Sequence, residues 1–509
     1  MWKSWKTVII RPYTAHPATI LSKKPESRTS TAIVWFRRDL RLTDNPALQA
    51  ALARHERIVP VFVADFAAEA SWAPGAASRW WLHHSLVRLE NAFAGRGNAL
   101  LIRRGASLAE LRRLIAETGA EAVYWNRLYE PALIERDRVV KAALREDGII
   151  AQSFRAALWH EPWNLKTAAG EPYRVFTPFW RKLVGELPPL QIHAAPARIK
   201  GLSGKVAGLS PDALELLPKL DWDTGFYARW RPGEDGALHA LDNFVRGGLG
   251  HYTDGRNLPA RRDTTGLSPH LHFGEISPQQ IRAAIVRRAG GIARLEADGE
   301  QVLRELGWRE FAHHLLFHFP QTPEHPLQTK FADMPWRPAK SRAADLAAWQ
   351  RGRTGIPIVD AGMRELWTTG WMHNRVRMIV ASFLTKNLLI PWQDGARWFW
   401  DTLLDADLAN NTLGWQWTAG CGADAAPYFR IFNPLLQAEK FDADGAYLRQ
   451  WLPELATLPA DALRAPWLAR PEVLNRGGIR LGTDYPAPIV DLAASRKRAL
   501  AAYATIKSA

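Results

Sequence analysis

Four short runs rich in β-branched and aromatic residues, Ala32 to Phe36, Ile58 to Val63, Ala99 to Ile102 and Ala122 to Trp125, alternate with stretches of helical period. This pattern constrains the chain most, because repeated βαβ units demand a parallel sheet covered by helices on its faces. Beyond Pro232 the strand alternation is gone, and apolar and aromatic residues recur at helical spacing. An α/β domain followed by an all-α domain is therefore expected. The chain has 509 residues, well beyond the roughly 250–300 at which a single core stops growing, so the two parts need separate cores. The expected division is a basic extension over residues 1–30, an α/β domain over 31–165, a connector rich in Pro, Gly and small residues over 166–235, and a helical domain over 236–509. Within the first domain, Ser107 and Glu110 read as a capping box ahead of Leu111, Leu114 and Ile115, with Gly119 ending that helix.

The formal net charge of +15 selects a polyanionic partner, and nucleic acid fits better than a membrane because no apolar run reaches spanning length and no basic amphipathic helix stands out. Residues 1–30 carry Lys3, Lys6, Arg11, Lys23, Lys24 and Arg28 against Glu26 without an apolar core, so they read as a basic tail rather than a secretory signal. Cys421 is the single cysteine, which excludes an internal disulfide and any cysteine-rich metal site and points to a reducing, cytoplasmic compartment. No metal site is expected. Neither GxGxxG nor a Walker A loop is present, so a nicotinamide oxidoreductase loses its usual fingerprint. The 24 tryptophans are the unusual feature, since a buried indole needs a partner for its N–H.

Four blocks are more specific. They are Val34-Trp35-Phe36-Arg37-Arg38-Asp39-Leu40-Arg41-Leu42-Thr43-Asp44-Asn45, Thr264-Thr265-Gly266-Leu267-Ser268-Pro269-His270-Leu271-His272-Phe273-Gly274-Glu275, Gly370-Trp371-Met372-His373-Asn374-Arg375-Val376-Arg377-Met378 and Gly414-Trp415-Gln416-Trp417. In order and spacing, from about residue 32 to about residue 490, they resemble the photolyase and cryptochrome family. Read by themselves, Thr264, Thr265 and Ser268 lie in a Gly-containing segment before a helix, where hydroxyls and backbone N–H groups suit a pyrophosphate as well as an ordinary N-cap. Asn374, Arg377 and Met378 share one helix face at i, i+3 and i+4, as do Glu305, Trp308 and Arg309 on another helix.

The resemblance implies FAD as cofactor, held by Tyr252, Thr264, Thr265, Leu267, Ser268, Arg309, Asn374, Arg377, Asp405, Asp407 and Asn411. Many relatives have Arg where this chain has Gly266. It further implies that Arg377 pairs with Asp405 beside the flavin, and that Asn411 faces flavin N5, where plant cryptochromes carry Asp. Asn374 and Met378 resemble enzymes for cyclobutane pyrimidine dimers rather than those for the pyrimidine-pyrimidone photoproduct, which usually show His at both positions. Glu305, Trp308, Asn374, Met378, Asn411 and Trp417 are the implied catalytic set, with Trp308 stacking on a flipped-out dimer and Glu305 meeting its pyrimidine edges. Trp415, Trp392 and Trp336 match an electron-transfer triad ordered outward from the flavin. Arg256, Trp308, Arg309, Asn374, Arg375, Arg430, Gln437 and Lys440 match positions at damaged DNA. Tyr129-Glu130-Pro131 and Glu135 lie where a folate antenna is held in some relatives, although the Asn-Glu pair of those relatives is missing. The implied activity is light-driven repair of pyrimidine dimers by a monomeric carbon–carbon lyase. The rival is a cryptochrome photoreceptor that repairs nothing.

Overall fold

A computed structural model describes residues 30–204, 206–425 and 429–507. Apart from Ser30, the basic stretch lies outside the described residues. The first domain is a five-stranded sheet of β1 (Thr31–Phe36), β2 (Arg57–Ala64), β3 (Leu101–Arg104), β4 (Ala122–Asn126) and β5 (Ile150–Phe154), in the order β3-β2-β1-β4-β5. All neighbours pair in parallel, with Ala32 opposite both Ile58 and Ala122. Helices α1 (Pro46–Leu52), α2 (Ala76–Ala94), α3 (Ser107–Thr118) and α4 (Pro131–Glu146) supply the crossovers. Every residue of β1 is buried, as a central strand covered on both faces must be.

Two expectations need correction here. The edge strand β5 was not anticipated, because Ile-Ala-Gln-Ser-Phe has too few β-branched residues to stand out. The capping box at Ser107 does not form either. Asp65, at the end of β2, accepts from both the backbone N–H and the hydroxyl of Ser107, at 2.8 and 2.7 Å, and Glu110 instead pairs with Arg113. Gly119 does end α3, in the left-handed region at φ 64.

The connector is also more structured than its composition suggests. It contains helix α5 (Phe176–Gly185), which buries Phe176, Phe179, Trp180 and Leu183. Trp180 lies over Gly307 so closely that a Cβ at 307 would overlap its ring. Gly307 belongs to α6 (Ala297–His318), the long helix of the second domain. Around it stand α7 (Pro357–Thr369), α8 (Asn374–Ser382), α9 (Trp392–Thr402), α10 (Leu408–Ala419), α11 (Pro434–Phe441) and α12 (Leu492–Lys507). Beyond the sheet, the described residues show β structure only as an isolated bridge between Leu481 and Tyr485. No helix among the described residues is long and apolar enough to cross a membrane.

The loop after β1 joins the domains. Leu40 N–H donates to Phe273 O at 3.1 Å, and Arg41 to Gly274 O at 2.8 Å. The Ser277 hydroxyl donates to Asp44 at 2.6 Å, while Asn45 caps α1. Gly274, at φ 63, lies where a Cβ would overlap the backbone of Arg38 and Asp39, so the close approach of the two domains requires glycine there.

Candidate active site

Residues 264–268 run into a short helix, Ser268–His272. Thr264, Thr265, Gly266 and Ser268 are half-buried, and Leu267 is buried. Gly266 has φ 63, and a Cβ there would point into open space. The segment is thus a small-residue cradle presenting hydroxyls and backbone N–H groups, which suits a pyrophosphate. The Trp371 indole N–H donates to the Ser268 hydroxyl at 3.3 Å, tying the cradle to the turn before α8. Trp371 was not singled out in the sequence, although it stands in the third block.

That turn is held by several hydrogen bonds. Leu404 N–H donates to Gly370 O at 2.8 Å, Arg377 Nε donates to Met372 O at 2.7 Å, and His373 N–H donates to buried Glu365 at 3.2 Å. His373 then caps α8, accepting from Arg375 N–H at 3.2 Å. Burial, followed by Arg375, Arg377, Arg256 and Arg229, pushes the His373 imidazole down to about 3, so it is neutral. Arg377 meets Asp405 at 3.0 and 2.8 Å, as expected. Asn374 is exposed at the first turn of α8, and Met378 is half-buried.

Asp407 caps α10, accepting from the N–H and side-chain amide of Asn410 at 2.9 and 2.8 Å. Its other oxygen faces His313 at 3.5 Å and His272 at 3.7 Å. In this structure the carboxylate is bonded to protein groups on both oxygens. Asn411 is half-buried one turn in, its amide donating to Ala396 O at 3.1 Å.

A second cluster lies beside the first. Glu305 pairs with Arg256 at 2.6 Å, and the Arg256 guanidinium sits 5.7 Å from the Tyr252 ring. Burial, then Glu305, raises the Tyr252 hydroxyl above its ordinary value, so it stays a neutral donor. Arg375 donates to Asn257 at 2.6 Å and approaches the Met378 sulfur at 3.8 Å. Its guanidinium also lies 4.3 Å from the Phe441 ring, on which Lys440 of α11 rests at 5.4 Å. Lys440 and Arg430 are exposed and Gln437 is half-exposed. Trp308 is half-buried, stacked on Phe176. Trp417 donates to Asp424 O at 3.1 Å, in the loop that also bonds back to Arg174.

Arg309 does not join this cluster. It donates to Ala157 O at 2.6 Å, in the segment leading out of the sheet domain, and Glu310 beside it accepts from Trp159 N–H and His160 N–H at 2.6 and 3.2 Å. Both side chains hold the domain junction. Arg309, which the resemblance places at FAD and at DNA, is thus held at the domain junction, although by spacing it shares a helix face with Glu305.

Of the three indoles expected to form a chain, Trp415 and Trp392 are each 2% exposed, while Trp336 is half-buried at the edge of the same core. The rings nearest Trp415 are Phe399 at 5.0 Å and Trp349 at 6.2 Å, and its indole N–H has no protein acceptor among the described residues. A Cβ at Gly395 would overlap its six-membered ring.

Between the domains lies a cleft of about 220 Å³, lined by Arg38, Glu69, Trp72, Glu130, Pro131 and Trp400 among others. Arg38 bridges Glu69 and Glu130. Of the residues expected at an antenna, Glu130 and Pro131 line this cleft. Tyr129 instead donates to Glu161 at 3.0 Å, and Glu135 is paired with Arg138 on the outer surface.

A family model described as DNA photolyase matches residues 32–198, and one described as the FAD binding domain of DNA photolyase matches residues 302–505. The chain is 48% identical to a deoxyribodipyrimidine photo-lyase of Agrobacterium fabrum over 486 residues, 94% of this chain and 99% of that protein. Cryptochrome-1 of Arabidopsis thaliana is 40% identical over 483 residues, covering 92% of this chain and 69% of that one. The crystal structure of a bacterial class III photolyase from Agrobacterium tumefaciens matches with a TM-score of 0.90 and 46% identity, covering 97% of this chain and 100% of that one.

Proposed function

The chain belongs to the photolyase and cryptochrome family, and from that premise we propose that it repairs cyclobutane pyrimidine dimers in DNA with FAD as cofactor. One observation carries this reading. Trp308 is held flat by Phe176, one helical turn from Glu305, whose partner Arg256 leads on to Arg375 and Met378. That arrangement gives a flipped-out dimer an aromatic face, an acceptor for its pyrimidine edges and cations for the flanking phosphates.

The 264–268 cradle and the Arg377–Asp405 pair fit FAD in charge and in available donors. When bound, reduced FAD would supply light-driven electron donation to the dimer with no net redox change. The protein orients. Thr264, Thr265 and Ser268 bind the pyrophosphate, Arg377 and Asp405 hold a fixed charge pair at the ring system, and Asn411 offers a neutral amide without an acidic proton. Asn374 and Met378 face adenine and the damaged bases. Trp415, Trp392 and Trp336 are the route by which an oxidised cofactor is re-reduced, and the interdomain cleft at Glu130 is the place for a folate-type antenna.

The test is light-dependent repair of an oligonucleotide carrying one cyclobutane dimer, run beside one carrying the pyrimidine-pyrimidone lesion. Repair of the first alone is expected. A cryptochrome-like photoreceptor, the reading favoured by the 40% identity to Cryptochrome-1, repairs neither.

A further inference from the structure

His313 stands outside every role assigned so far, yet it faces the residue that starts the flavin-side helix. It is buried, and its two ring nitrogens have different neighbours. Nδ1 lies 3.0 Å from Arg309 O, and Nε2 lies 3.5 Å from Asp407 Oδ2. A carbonyl oxygen only accepts, and so does a carboxylate, so these two neighbours suit a ring that carries hydrogen on both nitrogens, an imidazolium. Burial opposes that charge, but Asp407 outweighs it and raises His313 above its ordinary value. For Asp407, burial likewise works against ionisation, and His313 with His272 more than offsets it, leaving the carboxyl well below its usual range. The other groups facing the ring are Glu130 and Tyr129 from the loop before α4, and Arg309 and Glu310 from its own helix. Arg38 and His272 lie behind Asp407.

The consequence runs through the backbone. The Asp407 side chain caps α10 at Asn410, and its carbonyl accepts from Asn411 N–H at 2.8 Å. Without a cation at His313, the buried Asp407 carboxylate loses the charge that most favours its ionised form, and a carboxylate that turns away toward other partners releases the first turn of α10.

We propose that His313, as an imidazolium, is a positioning residue for the flavin site, fixing Asn411 through Asp407. The inference rests on the reading that this site holds FAD. Its pH dependence has a definite sign. A histidine whose folded value is raised contributes fully below its unfolded value, and the contribution is lost as pH rises through the folded one.

The experiment follows release of FAD from the diluted holoprotein, read as the rise of free-flavin fluorescence, for the wild type, His313→Gln and His313→Lys between about pH 6 and pH 9. The wild type should release FAD faster as pH rises through the His313 transition. The glutamine variant should release at the fast rate throughout, and the lysine variant, a lasting cation over this range, at the slow rate throughout. A flat wild-type profile overturns the proposal. So does a glutamine variant that loses thermal stability but keeps wild-type release, because His313 is then merely structural. Wild-type protein that holds no FAD at any pH would instead remove the flavin reading itself, and the proposal with it.

Discussion

Phe176 lies flat against Trp308, the ring centroids 3.7 Å apart and the planes 7° from parallel. One face of the indole is therefore filled by a residue of α5, in the stretch that reads as a connector, and the ring is held rigid for whatever stacks on its other side. Trp308→Ala should weaken binding to dimer-containing DNA by about 1–3 kcal/mol, the usual worth of base–aromatic stacking. Binding to undamaged duplex should change little, since only a flipped lesion reaches the ring. Equal losses on both substrates in a titration would make Trp308 a packing residue. Phe176→Leu should give the same selective loss, smaller in size, because it removes only the support.

Lys440 is exposed on α11 and shares the Phe441 ring with Arg375. Its charge is expected to meet a phosphate, which carries no sequence or lesion information. Lys440→Gln should weaken damaged and undamaged DNA alike and lower the slope of log affinity against log salt by about one. An unchanged slope would take Lys440 off the DNA face.

Glu310 gives a pH-dependent prediction for the domain junction. Burial dominates the environment of its carboxyl and raises it from 4.5 to about 7, despite the two backbone N–H donors. The folded protein then holds a proton that the unfolded chain has already released, so stability falls as pH rises from about 4.5 to about 7, by roughly 3 kcal/mol at most. Glu310→Gln cannot titrate. It leaves one of the two N–H groups facing an amide NH2, at a cost of about 1–3 kcal/mol, but the wild type should lose stability relative to it across that window in thermal melts. A constant difference between the two proteins would show that Glu310 is not the titrating group.

The sequence made the outline legible where a residue's partner is local. Short runs of aromatic and β-branched residues located four strands, and Gly119 marked a helix end because a left-handed residue after a helix is a local requirement. What it hid depends on distant partners. The N-terminus of α3 is satisfied by Asp65, some forty residues upstream of Ser107, so the nearby Glu110 misled. Arg309 shares a helical face with Glu305 by spacing, yet Ala157 O draws it to the domain junction. The blocks themselves conceal two different tasks, since Arg41 and Asp44 clasp Gly274 and Ser277 across the domains while Arg377 and Asp405 form the site. His272 and His313 gave no signal, because an imidazole in a helical pattern reads as core until the carboxylate facing it is known.

Trp415 separates the structural role of an indole from an electronic one. Its ring is buried against Phe399 and Trp349, and its N–H donates to no protein acceptor among the described residues, so Trp415→Phe removes volume but breaks no hydrogen bond. Stability should fall by about 1–3 kcal/mol from the cavity alone, and FAD content should hold. Photoreduction of oxidised flavin should slow greatly, because phenylalanine is far harder to oxidise than tryptophan and the first hop from the flavin is lost. Repair by protein whose flavin is chemically reduced beforehand should persist, since the dimer takes its electron from the flavin and not from the indoles. The ring contacts add a control. Trp349 touches Trp415 at 6.2 Å, whereas Trp392 is the next member expected from the resemblance, so the Phe variants of these two should be compared. Slow photoreduction in Trp392→Phe with a normal rate in Trp349→Phe supports the order Trp415, Trp392, Trp336, and the reverse moves the path to Trp349. If Trp415→Phe photoreduces at the wild-type rate, another indole is the donor. If pre-reduced Trp415→Phe retains FAD but cannot repair, the ring shapes the lesion pocket and the two electron paths are not separate.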